Sequence, residues 1–338
     1  MMTLGWRRLH RFGSFSGRVR QTLLPAIGLM LVSASTAQAW QVRVVSDQST
    51  GRDSVVIPRP EWRTLTPKAR DQIAALEQAL SGLSTPEAAA AAGFQPALGV
   101  IPTMGEHWVN YQRMMDKVDP LQPEQLMFSP VGGKMRLVGV AYAFVGQVAD
   151  APDLFDGDQD TWHAHPEFQF DFASGALVML HVWFVPSPDG PFAGHDPLLP
   201  YWAAGIQPMA DSLPSAPASA ARARRLGLAL SEALEPMPLV PMYDSAFVLP
   251  QQVQPLRESL RAAIPRLNAA RRAGDQQAWE READSAIAVW QQVRDAYVAT
   301  ISDATARQAL ADFYQEMETG GHAHMQAHAH DPAHAHEP

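Results

Sequence analysis

Residues 162–185 read WHAHPEFQFDFASGALVMLHVWFV, and this stretch decides the fold. Residues 167–172 alternate strictly between polar and aromatic side chains, which is typical of a strand with one wet and one apolar face. Residues 176–185 are apolar on both faces except at His181, which is typical of a central strand covered on both sides. Ala173, Ser174 and Gly175 lie between them and favour a tight turn. The sequence therefore predicts an antiparallel hairpin with a histidine buried in its second strand.

The length of the turn sets which residues face each other across this hairpin. A three-residue loop that ends in a left-handed glycine pairs positions whose numbers sum to 348. His181 then faces Glu167, and Trp183 faces His165. Directly opposed Cβ atoms lie about 5 Å apart and diagonal ones about 7 Å, so two imidazoles and a carboxylate share one face at metal-ligand spacing.

Two alternatives to this triad remain open. A two-residue Ser174-Gly175 loop pairs Phe168 with His181 and turns that imidazole to the opposite face. We favour the longer loop because it keeps the polar side chains of residues 167–172 on the histidine side. His163 lies two residues before His165 on the same side of a regular strand, so His163, His165 and His181 form a second candidate triad.

Histidines elsewhere follow a biased distribution. Apart from His10, they fall in a middle block (His107, His163, His165, His181, His195) or in the C-terminal tail. His107 follows Gly105 and Glu106, and the glycine lets the backbone turn sharply enough to direct either side chain inward. The tail is of low complexity and has no apolar residues to form a core, so we expect weak, multivalent binding of Zn, Cu or Ni. Its ligands are His322, His324, His328, His330, His334 and His336.

The first 39 residues are typical of a secretory signal peptide. Five arginines and no acidic residue precede an apolar run at residues 23–32, and Ala37-Gln38-Ala39 matches an A-x-A cleavage site. The apolar run is too short for a good membrane span, which needs about 20 residues. We therefore expect a periplasmic or secreted protein with no stable membrane span after cleavage.

The net charge and the absence of cysteine limit the kinds of binding partner and of metal-ligating side chain that we expect. Removing five arginines from the 26 basic residues leaves 21 against 35 acidic residues, a formal net charge of −14. This charge argues against nucleic acid or an anionic membrane surface as partners and is compatible with cation binding. The chain contains no cysteine, so it has neither disulfides nor thiolate ligands.

Periodicity predicts the remaining elements. We expect a strand at 42–45, a helix from Thr66-Pro67 to about Leu83, and a capping box at Ser84 and Glu87 that starts a helix ended by Gly93. A strand follows at 136–145, and 186–217 is a proline-rich loop. Four helices are expected at 218–234, 254–272 (with a bend at Pro265), 276–301 and 303–317.

These elements predict an α+β fold with an antiparallel β-rich core. The expected organisation is a signal peptide at 1–39, a strand and helix lead-in at 40–97, a β-rich metal-binding core at 98–217, a helical region at 218–319 and a disordered His-rich tail at 320–338.

The block 99–200 resembles an uncharacterised family of exported bacterial proteins. The resemblance rests on MGEHW at 104–108, WHAH at 162–165, LHVW at 180–183 and the loop 186–192, where Ser187 replaces an expected asparagine. It covers about a third of the chain and implies that this block is the functional core. The pair His163 and His165 with a later histidine is also similar to the cupin pattern, which makes a cupin barrel the second choice of fold.

Three functional hypotheses follow from these patterns. The first is an exported protein that binds zinc or copper through His107, His163, His165 and His181, with Glu167 as an alternate ligand and the tail gathering metal. The second is a metal-dependent hydrolase or oxygenase at the same site, with Glu106 or Glu167 as general base. The third is a non-catalytic envelope protein with structural histidines and an unknown protein partner.

Overall fold

Six antiparallel strands form the sheet that carries His107, His163, His165 and His181. The computed structural model describes residues 43–47, 52–56, 62–101, 103–165, 176–206, 217–234, 240 and 247–320. The predicted signal peptide, the segment 166–175 with Glu167 and the hairpin turn, and the six tail histidines lie outside these residues. Two short strands, β1 (Arg43–Asp47) and β2 (Arg52–Val56), pair as a separate two-stranded sheet.

Helices α1 (Pro67–Ala79) and α2 (Pro86–Ala91) precede the main sheet. Both begin with a Thr-Pro pair, in which the threonine hydroxyl accepts a hydrogen bond from the backbone N–H three residues later. The predicted capping residue Ser84 is therefore wrong by one position, because Thr85 caps α2 through the N–H of Ala88.

The main sheet runs in the order β3-β4-β5-β6-β8-β7. The strands are β3 (Gln95–Ile101), β4 (Gly105–Val109), β5 (Gln125–Val131), β6 (Lys134–Gly146), β7 (His163–His165) and β8 (Ala176–Trp183). Gly132 and Gly133 join β5 to β6 with φ angles of 61° and 75°, which is the two-residue turn that matches strand twist. β8 lies between β6 and β7, so it is a central strand, as its apolar sequence predicts.

The helical region begins within the segment predicted as a loop. Helix α3 (Leu199–Ala203) packs against β5, and its Tyr201 and Trp202 are buried. Proline richness concealed this short helix, because Pro200 occupies a first-turn position where no N–H is needed.

Four longer helices complete the fold: α4 (Pro217–Leu234), α5 (Val253–Ala273), α6 (Gln276–Thr300) and α7 (Ala304–Thr319). Asp275 and Asp303 cap α6 and α7 by accepting N–H bonds from the third residue of each helix. A buried ion pair between Arg257 and Glu232, with Nε and Oε1 2.9 Å apart, joins α5 to α4. The predicted α+β class is confirmed, with an antiparallel sheet between helices at both ends of the chain.

Candidate metal centre

β8 places His181 at the centre of the sheet. The residue pairs with Ala141 of β6 and is fully buried. The indole of Trp183 stacks against the imidazole at 6.2 Å between centroids, two residues along the same face. His181 therefore lies in a dry environment made by its own strand and its neighbours.

β7 places His163 and His165 on the same face as His181. His163 pairs with Met179 and is diagonal to His181, with ring centroids 5.2 Å apart. The rings of His163 and His165 are 4.8 Å apart, and both residues are buried. The strands thus bring together the three histidines of the second candidate triad.

The predicted hairpin register is wrong, although the predicted face is correct. His165 pairs with Leu177 and not with Trp183, so paired residue numbers sum to 342 and not to 348. A difference of six is even, and an even difference keeps every side chain on its original face. The two-residue loop required an odd sum of 349 and the opposite face, so it is also wrong.

His107 joins the cluster from β4. Its Nε2 lies 3.4 Å from Nε2 of His181, and the ring centroids are 5.6 Å apart at an interplanar angle of 73°. β5 and β6 separate these strands, so on a flat sheet β4 and β8 would lie about 14 Å apart. The sheet must therefore curl towards this face for the two rings to meet.

Small residues make room for this contact. The cross-strand pairs His107–Met127, Met127–Gly139 and Ala141–His181 share one face, so Gly139 and Ala141 of β6 lie on the face over which the imidazoles lean. A Cβ at Gly139 would lie 2.6 Å from the carbonyl oxygen of Val182 and 2.7 Å from Cε of Met127. The close packing of β5, β6 and β8 therefore requires glycine at position 139, and this glycine is the feature of the sequence that indicates it.

Burial keeps the central imidazoles neutral. It lowers the pKa of His107 from 6.5 to about 4, with a smaller effect from His165. Burial also lowers the pKa of His181 well below its usual range, and the nearby rings of His163, His107, His165 and His195 add to the shift. Neutral imidazole is the form that binds a metal ion.

The polar groups of the central pair are incompletely satisfied. The Nδ1 atoms of His107 and His181 are buried and have no hydrogen-bond partner among the described residues. The 3.4 Å contact between the Nε2 atoms is longer than a normal N–H hydrogen bond. His163 differs, because its Nδ1–H donates to the carbonyl oxygen of Thr161 at 3.0 Å. That bond leaves the lone pair of His163 on Nε2.

Two imidazoles of the cluster are at the spacing of ligands on one metal ion, and no larger set of described side chains is. No group of three or more His, Asp or Glu side chains within the described ranges has the geometry of a metal site. The Nε2 atoms of His107 and His181 nevertheless lie 3.4 Å apart. Two nitrogens bound to one tetrahedral zinc ion at 2.0–2.1 Å are about 3.3–3.4 Å apart.

The candidate carboxylates do not join the cluster in the part of the chain that the structure describes. Glu106 precedes His107 on β4 and lies on the opposite face, where its Oε2 accepts a 2.8 Å bond from Nε1 of Trp108. Glu167 and the six tail histidines lie outside the described residues. Glu106 therefore faces away from the histidine cluster, at which the sequence analysis suggested it as a general base.

His195 lies next to Thr103, and sequence reasoning gave neither residue a role. His195 is half-buried in the loop after β8 and is close enough to His181 to lower the pKa of that ring. Its Nδ1 lies 3.3 Å from Oγ1 of Thr103, whose φ of 62° is strained for a β-branched residue. The sequence signal available for His195 was its membership of the middle block.

Comparisons with known proteins add no family to this geometry. No protein-family model, curated protein or solved structure matches the chain. Within the described ranges, none of the helices combines the length and apolar character needed to cross a bilayer.

Proposed function

We propose that this chain is an exported metal-binding protein that holds zinc or copper at His107 and His181, with His163 and His165 as the further ligands. The observation that carries the proposal is the 3.4 Å approach of two Nε2 atoms from fully buried, neutral imidazoles. These residues are 74 positions apart in the sequence, and the curled sheet brings them together.

Energetics supports a ligand in this place. A buried polar group left without a partner costs about 1–3 kcal/mol, and the central pair has two such nitrogens in the described part of the chain. Apolar side chains of similar volume would avoid that cost. A metal ion on the two Nε2 atoms would not give the Nδ1 atoms a partner, but its bonds to the unprotonated Nε2 lone pairs would offset their cost.

His163 is the third ligand in this proposal. The hydrogen bond from its Nδ1–H to the carbonyl of Thr161 orients the ring and leaves Nε2 as the basic nitrogen. Metal-binding histidines commonly donate their second ring N–H to a backbone carbonyl in this way. The His163 ring is 5.2 Å from that of His181, so the proposal requires the His163 side chain to rotate towards the two Nε2 atoms when the metal binds.

The donor set favours zinc or copper. Imidazole nitrogen suits both ions, whereas calcium and magnesium need oxygen ligands. Binding is favoured over catalysis, because Glu106 faces away from the cluster and its carboxylate accepts from Trp108.

Metal content of the protein tests the proposal. The six tail histidines are replaced by asparagine, so that bound metal reports on the folded body alone. We expect close to one zinc or copper ion per chain after gel filtration, and none when His107→Leu and His181→Leu are added. Leucine fills similar space without nitrogen, so this double variant should be no less stable than its parent in the presence of a chelator.

Val182→Ala is the matched control. Val182 is fully buried and neighbours His181 on β8, but its side chain points to the other face. It should destabilise the sheet by removing buried methyl groups while keeping the metal. The proposal is contradicted if the tail-substituted chain binds no metal, or if the double leucine variant binds as much as its parent.

A further inference from the structure

Two buried methionines lie on the face of the sheet that carries the histidine cluster. Met127 of β5 pairs with His107 of β4, and Met179 of β8 pairs with His163 of β7. Met179 also precedes His181 by two residues, so both side chains lie on one face of β8. Directly opposed residues have Cβ atoms about 5 Å apart. Each methionine is therefore a direct neighbour of histidines in the proposed metal centre.

Met127 extends from β5 over β6. Its Cε would lie 2.7 Å from a Cβ on Gly139, which pairs with Met127 on one side and with Trp183 of β8 on the other. The thioether sulfur is bonded to this methyl carbon, so it lies in the same space above β6. The ring of His107 crosses that space too, because its Nε2 meets Nε2 of His181. Sulfur and imidazole therefore approach β8 side by side.

The described part of the histidine cluster contains no carboxylate. Glu106 lies on the opposite face of β4, and the carboxyl group of Glu124, before β5, accepts from the N–H of Ala143. Among the described groups, other imidazoles are the charged neighbours that lower the pKa of His107 and His181. Imidazole and thioether are neutral ligands, so an ion bound by them keeps its full charge inside the protein.

A buried site with neutral ligands favours a monovalent ion. The cost of taking an ion out of water rises with the square of its charge, so it is about four times larger for a divalent ion than for a monovalent ion of equal size. The indole of Trp183 keeps the centre dry, since it is fully buried and stacks on His181. Its Nε1–H donates to the carbonyl oxygen of Ala193 at 2.6 Å, which fixes the ring in place.

The spacing of the central pair leaves positions for further ligands. An ion about 2.0 Å from both Nε2 atoms, which are 3.4 Å apart, has an N–metal–N angle of about 116°. This angle fits three or four ligands and not a linear pair. Thioether sulfur is a soft ligand that selects copper(I), and imidazole also binds copper. Copper(I) is monovalent, so the charge argument and the ligand types favour the same ion.

We infer that the buried centre is a copper(I) site, in which the thioethers of Met127 and Met179 join the imidazoles of His107 and His181. This inference rests on the proposed function, narrows the ion to one and adds sulfur to the ligands. Binding forms bonds from nitrogen and sulfur lone pairs to the ion. Copper is neither oxidised nor reduced in this step, and no proton is released.

Competing affinities for copper(I) and zinc test the inference in the chain with asparagine in place of the tail histidines. Competition with the coloured copper(I) chelator bicinchoninate, without oxygen and with ascorbate, measures the first affinity, and titration calorimetry measures the second. Met127→Leu with Met179→Leu should weaken copper(I) binding by about 100-fold or more, at least the usual effect of disturbing the support of a metal ligand. Zinc affinity should change by less than about threefold, because leucine conserves volume and removes only the sulfur.

Met104→Leu with Met317→Leu is the matched control. Both methionines are buried, but they lie in the turn before β4 and in α7, outside the strands of the sheet. This pair of changes should leave both affinities unaltered. X-ray absorption at the copper edge should detect sulfur bound to copper in the parent and in this control, and nitrogen alone in the Met127→Leu, Met179→Leu chain. Thermal midpoints in chelator confirm that each variant is folded.

The outcomes separate this inference from the proposed function. Copper bound by nitrogen alone in the parent, or equal copper(I) affinity in the parent and the Met127→Leu, Met179→Leu chain, would overturn the sulfur ligands and leave the metal centre intact. Equal loss of copper(I) and zinc affinity in that chain would also overturn the inference, because it would show a general effect on folding or packing. A parent that binds neither ion would overturn the proposed function as well.

Discussion

The imidazole of His107 shows how burial and chemistry compete at a single residue. In water its pKa is 6.5, and in the fold it is about 4, because burial disfavours the charged form. Its Nδ1 also lacks a partner among the described residues. Such a residue weakens the metal-free protein, and a metal ion bound by its lone pair, as proposed, would offset that cost.

The pH dependence of stability follows from this shift. Between pH 6.5 and about 4 the unfolded chain protonates His107 and the folded chain does not. The free energy of unfolding of the metal-free protein should therefore hold its full His107 contribution above pH 6.5 and lose about 3 kcal/mol of it as the pH falls to 4. Chemical denaturation in chelator at several pH values measures this, and His107→Leu should flatten the slope.

Glu124 also contributes to the pH dependence of stability, so the effect of His107 must be measured as the difference between wild type and His107→Leu. Its carboxyl is buried and accepts from the N–H of Ala143, and burial raises its pKa from 4.5 to about 7. The protonated form is favoured in the fold, so its contribution is present below pH 4.5 and lost as the pH rises to 7. It opposes His107 across the same window. Equal slopes for wild type and His107→Leu would contradict the predicted His107 effect.

At the scale of elements, the helices were the most predictable part. Apolar residues at helical spacing, with Thr66-Pro67 at the start of the first helix, predicted α1 and α4–α7 to within a few residues. Each of these signals lies in the helix itself or directly beside it, so it can be recognised in a single sequence. α3 was missed because a helix of five residues has too few turns to show periodicity.

The hairpin register was less predictable because it depends on the connection. A three-residue turn was the simplest interpretation of Ala173-Ser174-Gly175, yet β7 ends at His165 and β8 begins at Ala176. The face of each histidine was predicted correctly because alternation within a strand does not depend on turn length. The alternation of side chains along a strand thus predicts the face of the sheet on which a residue lies better than it predicts the residue with which it pairs.

Gly139 of β6 offers a test of the sheet's role in the site. A Cβ at this position would lie 2.6 Å from the backbone oxygen of Val182, which cannot move without β8. Gly139→Ala should cost about 1–3 kcal/mol of stability by overpacking. It should also displace His181 from His107 and weaken zinc binding by about 10- to 100-fold, the usual effect of losing support for a metal ligand.

Titration calorimetry on chains with the tail histidines replaced measures the zinc affinity. Gly82→Ala is the control, because a Cβ there has no heavy atom within 4 Å. It should leave affinity unchanged. Unaltered zinc affinity in Gly139→Ala would show that the spacing of β6 and β8 does not set the geometry of the cluster.

At the scale of the whole molecule, convergence of distant residues was the least predictable feature. Sequence patterns grouped His163, His165 and His181, but nothing local related them to His107, whose strand is separated from β8 by β5 and β6. That contact needs the strand order, the curl of the sheet and the small residues of β6 together. Likewise, the placement of His195 and Gly320 in one cleft depends on how α7 packs, and no single segment of the sequence indicates it.

Thermal stability of the whole molecule should report on metal binding at this convergence. A ligand that binds only the folded state stabilises it by mass action, by about 2.7 kcal/mol at 100 times its Kd. For a chain of this size, that is a rise in Tm of roughly 4 °C. We expect this rise on adding zinc to the chain with asparagine in place of the tail histidines, and its reversal by chelator.

The same chain with His107→Leu and His181→Leu separates the buried centre from other sites. Its Tm without metal should be at least that of its parent, because the unsatisfied nitrogens are gone, and zinc should no longer raise it. Val182→Ala should have a lower Tm without metal and still show the full rise. An equal rise in the double leucine variant would place the stabilising zinc elsewhere. Without any rise in the parent, the four histidines would be structural, as in the third hypothesis from the sequence.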